Sequence, residues 1–369
     1  MKRNSSKRAI LKNRDNHRWQ RRLTSKEKRK KLNRRKSFRP THSTHTRIPR
    51  ASITAPHIID IEKAEYRDKT LGFIADINNA IFVSGKKIRI RFNSTKLVVA
   101  TAGTLLLAEV DRIVKEKGPD WIKCTYPKNQ KIEIALQQSG FFKIINMPER
   151  LALRNTAPEK GFIRFIPICS GTEVDGSLTK PFFDEFRGHL NASCQSFLYG
   201  AIIEAIGNVH YHAYIMSREN STCCLNHTWW MHTGIDHTGA LFIMICDLGA
   251  GIPQTMPKKL GAQFIGIFKS VIGSDNLNDA NIIKVATELS QTRTKKSYRG
   301  KGFKNMHDAI DIIGKGSLRV MSNKGCYSYK PNGTESTVNY SNSINGTMIV
   351  WSIPIKELST YSRSNSLGY

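Results

Sequence analysis

The chain has 369 residues and a formal charge of +29, from 58 Lys and Arg against 29 Asp and Glu. That length allows two domains with a core in each, and the charge points to acidic partners. The longest nearly apolar run, Leu97 to Val110, has 14 residues and is too short for a membrane span, which excludes a membrane partner.

The charge is concentrated at the start. Residues 1–50 hold 20 Lys and Arg against only Asp15 and Glu27, a net +18, and the remaining 319 residues carry +11. With Trp19 as its bulkiest side chain, this segment buries too little apolar surface to offset ordering, so residues 1–55 are expected to be a disordered basic tail and linker. Arg18 to Lys36 holds good helix formers and would become a basic helix against a polyanion. The tail therefore suits electrostatic binding to nucleic acid or a nucleoprotein particle, with affinity falling as salt rises. The alternative is a solvated tail that meets any acidic surface, including an acidic protein partner. It matches no groove-reading module. No apolar segment stands behind its charges, so a secretory signal is not expected, and a mitochondrial transit peptide fits its Lys-Arg density poorly. Seven cysteines at irregular spacing suggest reduced thiols in the cytoplasm.

Residues 51–60, with Pro49 and Pro56 around them, look like a linker. Strands are then expected at Ala80–Val83 and Ile88–Phe92, a helix at Val98–Lys117 and a strand at Trp121–Tyr126. A helix at Gln130–Ser139 and a strand at Phe141–Ile145 complete a small mixed α/β layer over 56–150. Residues 150–185 connect to a second domain, 160–356, whose first strand is Phe162–Ile168. Residues 357–369 are Ser-rich and expected to fray.

The second domain centres on a helix over Leu198–Tyr214. At about 100° per residue, Leu198, Ile202, Ala205, Val209 and Ala213 form one apolar stripe that must face a core. Glu204, Asn208 and His212, at i, i+4 and i+8, climb the edge of that stripe, as the floor of a polar pocket or as a solvated edge. Cys223 to His232 reads as a strand, Gly234 to Gly239 as a turn, and Leu241 onward as its partner. Cys223, Cys224, His227, His232 and His237 lack the paired spacing of a structural zinc site. The run from Leu241 is a buried strand that ends in Asp247 and then Gly249 and Gly251. Arg299-Gly300-Lys301-Gly302 opens a later helix, and Asn345-Gly346-Thr347 leads into a last strand. Neither glycine pair is a dinucleotide fingerprint, because Gln254 and Asn305 stand where the third glycine belongs. No Gly-x4-Gly-Lys-Ser/Thr occurs, so there is no P-loop.

Glu-x3-Asn, Asp-x-Gly-x-Gly, Gly-x-Gly and Gly-Thr, in that order, resemble the ATP-binding domain shared by gyrase B, Hsp90, histidine kinases and MutL. This is the GHKL superfamily. Bacterial anti-sigma-factor kinases look most similar, because they carry a His or Lys at the position of His212. Residues 56–150 resemble the STAS domain of anti-sigma-factor antagonists. Where that family has an Asp-Ser-x-Gly, this chain reads Ala100-Thr101-Ala102-Gly103, which suggests a degenerate docking domain for a protein partner, with Thr101 as the residual hydroxyl.

The resemblance implies an α/β fold, a GHKL-type sandwich of mixed sheet with helices on one face, preceded by the STAS-like domain. It implies ATP and Mg²⁺ as ligands. Glu204 would be the general base that orients water towards the γ-phosphate, and Asn208 would hold Mg²⁺ through its amide oxygen. His212 would lie near the phosphates, and Asp247 would accept a hydrogen bond from the adenine amino group. Gly249 and Gly251 would let the backbone approach the base. Gly300 and Gly302 would offer N–H groups to the phosphates, with Arg299 and Lys301 adding charge, and Thr347 would close the adenine site. Residues 254–298, helical at Asn281–Leu289, correspond to the ATP lid, with Arg293–Arg299 drawn to the triphosphate. Histidine kinases carry their phosphoacceptor on a separate dimerising helix, whereas His189 lies only 15 residues before Glu204, so a sensor kinase is not expected. The expected protein is a cytoplasmic regulator, with a homodimer as one option. It either hydrolyses ATP as a switch or phosphorylates a Ser or Thr on a partner. The alternative is a nucleic-acid-binding adaptor or defence-module component that binds ATP without turnover.

Overall fold

A computed structural model describes residues 50–150, 164–186, 192–214, 227–235, 239–292 and 302–354. The expected basic tail, the Cys223-Cys224 pair, His189, His237, Arg293–Arg299, Gly300, Lys301 and residues 357–369 lie outside them. The described residues all belong to one compact unit. The fold is mixed α/β, built as a small lobe and a large one on a shared core.

The small lobe carries a parallel sheet of β1 (Arg50–Thr54), β3 (Lys87–Arg91) and β5 (Ile122–Thr125), in the order β1-β3-β5. The two-residue strands β2 (Ile58–Ile59) and β4 (Leu97–Val98) pair beside it. Parallel strands need long crossovers, which here are α1 (Ala64–Asn78) and α2 (Ala100–Lys117). The helices α3 (Gln130–Gln138) and α4 (Phe141–Ile144) follow β5.

Three local expectations are corrected here. The run 51–60 is not a linker, because β1 lies in it and pairs with β3 in register from Arg50↔Lys87 to Thr54↔Arg91. Ala80–Val83 is not a strand but part of a π turn, Asn79–Val83, that extends α1 and buries Ile81. Phe141–Ile145 is a single helical turn. It starts at Gly140 (φ +84°), whose left-handed backbone closes the preceding helix and turns Phe141 and Phe142 into the core.

The large lobe is a seven-stranded sheet, ordered β11-β10-β9-β12-β8-β7-β6. Its strands are β6 (Arg164–Gly171), β7 (Trp229–Ile235), β8 (Ala240–Asp247), β9 (Ser317–Ser322), β10 (Gly325–Tyr329), β11 (Glu335–Asn339) and β12 (Thr347–Pro354). Every pairing among them is antiparallel, so the mixed sheet expected above is corrected. The strands run as two meanders, β6-β7-β8 and β9-β10-β11, and β12 returns antiparallel to both inner edges.

On one face of this sheet lie α6 (Ala192–Asn208), α9 (Asp279–Thr292) and α10 (Gly302–Ile313). They cover Trp229, Met231, Ile243, Ile245, Val320 and Trp351. Helices on one face describe only half of the packing. The opposite face presents Trp230, Phe242, Met244, Cys246, Met348 and Val350 to the core of the small lobe, and α2 lies against β8. Coverage on both sides is why every residue of β7 and β8 is buried, where a sheet with one wet face would alternate.

The junction also contains polar contacts. Glu62 accepts a fork from Arg319 of β9 (2.6 and 3.0 Å) and a bond from the Thr101 hydroxyl (2.9 Å). Thr101 is 2 % exposed, so it faces the sheet of its own chain rather than solvent. Deeper in, His232 of β7 stacks on Phe165 with centroids 4.8 Å apart, and its Nδ1 lies 2.8 Å from the Thr104 hydroxyl. That hydroxyl already donates to the Ala100 carbonyl, so the imidazole must donate from Nδ1, and Nε2 is left buried with no partner among the described residues.

Candidate functional site

The helix α6 starts earlier than Leu198 and does not stay α to the end. Its last turn, Val209–Ala213, is a π turn that begins at Asn208. The apolar stripe is as expected, with Leu198, Ile202, Ala205, Val209 and Ala213 all buried. The π turn widens the spacing after Asn208, so the simple angular reading of Glu204, Asn208 and His212 stops there. Such turns recur at functional sites, where they re-aim a side chain. Glu204 and Asn208 are half-buried on this helix, and burial raises the Glu204 carboxyl above its ordinary range. Glu204 lies two turns before His212, roughly 12 Å along the axis.

Strand β8 carries Asp247 to its end, where the chain must turn. The Asp247 Oδ1 accepts from the Gly249 amide (2.8 Å) and from the Thr347 amide (3.2 Å). Asp247 and Thr347 are register partners across β8 and β12. Asp247 is 4 % exposed, and among the described residues no cation pairs with it. Desolvation pushes its carboxyl up to about 6, against the lowering effect of its hydrogen bonds from Gly249 and Thr347. The carboxylate is thus held in a low-dielectric place by the Gly249 and Thr347 amides and the Thr347 hydroxyl, the sort of perturbed group that marks functional sites.

The turn after Asp247 is clamped onto the end of the π turn. The Ala250 amide donates to the Ala213 carbonyl (2.8 Å), and the Leu248 amide donates to the Tyr214 hydroxyl (3.2 Å), which itself donates to the Thr228 carbonyl. This changes the reason for the glycines. A Cβ on Gly249 would sit 2.4 Å from the Ala213 carbonyl oxygen, and one on Gly251, at φ +82°, would meet the Asn323 amide at 2.7 Å. Glycine is required here so that the turn can seat against its own protein, whatever ligand approaches it. So Asp247, Gly249, Gly251, Thr347 and the His212 end of α6 meet at one place. Gly302 opens α10, which packs along α6, while Arg299, Gly300 and Lys301 lie outside the described residues.

Several residues of this place were not expected. The Ser322 hydroxyl accepts from the Ile252 amide (2.9 Å) and lies 3.0 Å from the Thr347 hydroxyl. Asn323 adopts φ +51°, and its side-chain amide donates to the Ala250 carbonyl (2.9 Å). Helix α7 (Ile252–Leu260) brings Lys259 within 3.2 Å of the His212 Nε2. Burial first, and that ammonium second, lower the His212 basicity, so its imidazole is neutral and can accept. Ser322-Asn323 sits in an unremarkable strand end, and Lys259 is one lysine of a basic sequence. Only the fold distinguishes them.

Arg67 ties the small lobe to this site. It is 1 % exposed, and its guanidinium donates to the carbonyls of Ile61 (2.5 Å), Asn342 (3.1 Å) and Asn323 (3.3 Å) and stacks on Tyr340. We expect Arg67→Ala to lower unfolding stability by about 3 kcal/mol, because the buried carbonyls of Ile61 and Asn323 and the Asn342 carbonyl lose their donor. Urea denaturation of the variant checks this, and an unchanged midpoint would count against the contact.

A comparison with protein-family models finds no match, and a comparison with curated proteins finds none either. Among the described residues no helix is long and apolar enough to cross a membrane, the five cysteines are free thiols, and no cluster of three or more His, Cys, Asp and Glu could hold a metal ion.

Proposed function

We propose that this chain is a cytoplasmic GHKL-type ATP-binding regulator that hydrolyses ATP as a conformational switch or passes phosphate to a Ser or Thr of a partner. The observation that carries the reading is Asp247. Its buried carboxylate stands at a strand end, held by two backbone amides, in a turn locked onto the helix of Glu204, Asn208 and His212. A carboxylate so placed reads an exocyclic amino group such as that of adenine.

The donor set suits the ligands. Asn208 offers the hard amide oxygen that Mg²⁺ takes. Among the described residues no all-protein cluster is at hand, so the ion would arrive with the triphosphate, whose charge it would neutralise. Glu204, whose carboxyl burial raises above its ordinary range, is suited to orient water and take its proton. Lys259 and neutral His212 supply a charge and a hydrogen-bonding ring at the open end of the helix. The basic segment 1–50 would bring this machinery to a polyanion, and the small lobe would take a protein partner on a surface other than the buried Thr101.

The test follows γ-labelled ATP with Mg²⁺ in wild type and in Glu204→Ala. Turnover should fall roughly 100-fold or more in the variant, the scale of a lost general base, while ATP binding persists. Label on free phosphate means a switch, and label on added protein means a kinase. Binding without turnover in wild type would leave the adaptor reading, and no ATP binding would overturn the proposal.

A further inference from the structure

Parallel sheets are normally covered on both faces, yet the three-stranded sheet of the small lobe has one face open. Ile88, Ile90, Ile122 and Cys124 turn inward and are buried, whereas Ser52, Thr54, Arg89 and Arg91 are exposed. In-register neighbours of a parallel sheet share a face, so the pairings define its rows. They are Arg50 beside Lys87, Ser52 beside Arg89 and Lys123, and Thr54 beside Arg91 and Thr125. That face carries five cations, with hydroxyls between them.

We propose that this open sheet face binds the phosphate backbone of nucleic acid. Strands lie about 4.8 Å apart and alternate residues about 6.6 Å apart, so the cations form a flat lattice on the scale of neighbouring phosphates. Lys87, Arg89 and Arg91 make no hydrogen bond or ion pair among the described residues. Arg50 donates to the Ile88 and Asp120 carbonyls, and Lys123 to Ile145 and towards Asp120. Asp120 is the carboxylate that stands beside these rows, at their edge. No apolar side chain interrupts them. A protein partner would need an apolar anchor there, whereas a phosphodiester backbone needs only charge and donors. The cations and hydroxyls of these rows contact backbone and not base edges, so the face reads no sequence.

The experiment titrates full-length protein against a fluorescent duplex of roughly 25 base pairs, by anisotropy, from about 50 to about 200 mM salt. Lys87→Gln/Arg89→Gln/Arg91→Gln is compared with wild type and with Lys315→Gln/Lys324→Gln/Lys330→Gln, which removes equal charge from the large lobe. The sheet variant should bind at least tenfold more weakly at about 100 mM salt, and its log–log salt slope should shrink by about 2 to 3, close to 0.9 per lost phosphate contact. The large-lobe variant should stay within about twofold of wild type in affinity and within about 1 in slope. Equal losses in both variants would reduce the effect to net charge and overturn the proposal. So would unchanged binding in the sheet variant, which would leave DNA to residues 1–50.

Discussion

Asp247→Asn should bind ATP about 10- to 100-fold more weakly, and at neutral pH it should be more stable than the protein it replaces. The first effect follows from losing a charged acceptor whose hydrogen bonds are worth about 1.5–3 kcal/mol. The second follows from burial. The folded carboxyl titrates at about 6 against an ordinary 3.8, so between those values the folded state binds more protons than the unfolded one. Stability therefore falls as pH rises through that window, and the whole cost, up to about 3 kcal/mol, is present above pH 6. Asparagine keeps the oxygen that accepts from Gly249 and Thr347 but removes the charge. Isothermal titration with ATP and a melting curve at pH 7.5 read both effects. Weaker binding with lower stability would mean that Asp247 is merely structural. In wild type, ATP affinity should also fall as pH drops below 6 and the carboxyl takes its proton.

His232 should produce the opposite acid response, and a larger one. Complete burial lowers its basicity to about 3, from an ordinary 6.5. The folded state thus binds fewer protons than the unfolded state between those values, and stability is lost as pH falls through them. By pH 4.5 the loss should reach about 3 kcal/mol, rising to about 4–5 kcal/mol below pH 3. His232→Phe keeps a ring against Phe165 and leaves the Thr104 hydroxyl its bond to Ala100, but it cannot take a proton. Overpacking would change its absolute stability, so the quantity to compare is slope. Urea midpoints at several pH values should decline steeply in wild type and stay nearly level in the variant. Parallel slopes would mean that acid unfolding starts elsewhere.

The large-lobe elements were legible where the pattern was long and strongly periodic. The stripe from Leu198 to Ala213 and the run into Asp247 announced a core-facing helix and a buried strand. The continuous apolar character of Leu241–Cys246 also carried the signal that this sheet is buried on both faces, though not what would cover it. Helix α1 was missed because Ala64–Asn78 mixes charges and apolar residues with little sidedness. Strand β1 was missed because its partner lies more than thirty residues away. Phe141–Ile145 shows the usual ambiguity of a short apolar run, settled by Gly140 in a backbone state that letters do not display. In the site, Asp247 and the glycines stood out by spacing. Ser322, Asn323 and Arg67 did not, because their meaning lies in contacts across 70 to 256 residues.

The order of strands has a consequence for how the molecule comes into being. β12 lies between β9 and β8, so the last described strand is the one that joins the two meanders. Until it has emerged from the ribosome, the sheet is two three-stranded halves with raw inner edges, and Asp247 has no Thr347 to hold it. At about 5–20 residues per second, the meander of β7 and β8 waits several seconds with an apolar edge unpaired. Closure over such long separations is slow, and unpaired edges invite association. The stretch between Asp247 and Thr347 is therefore the interval in which a nascent chain most needs a chaperone.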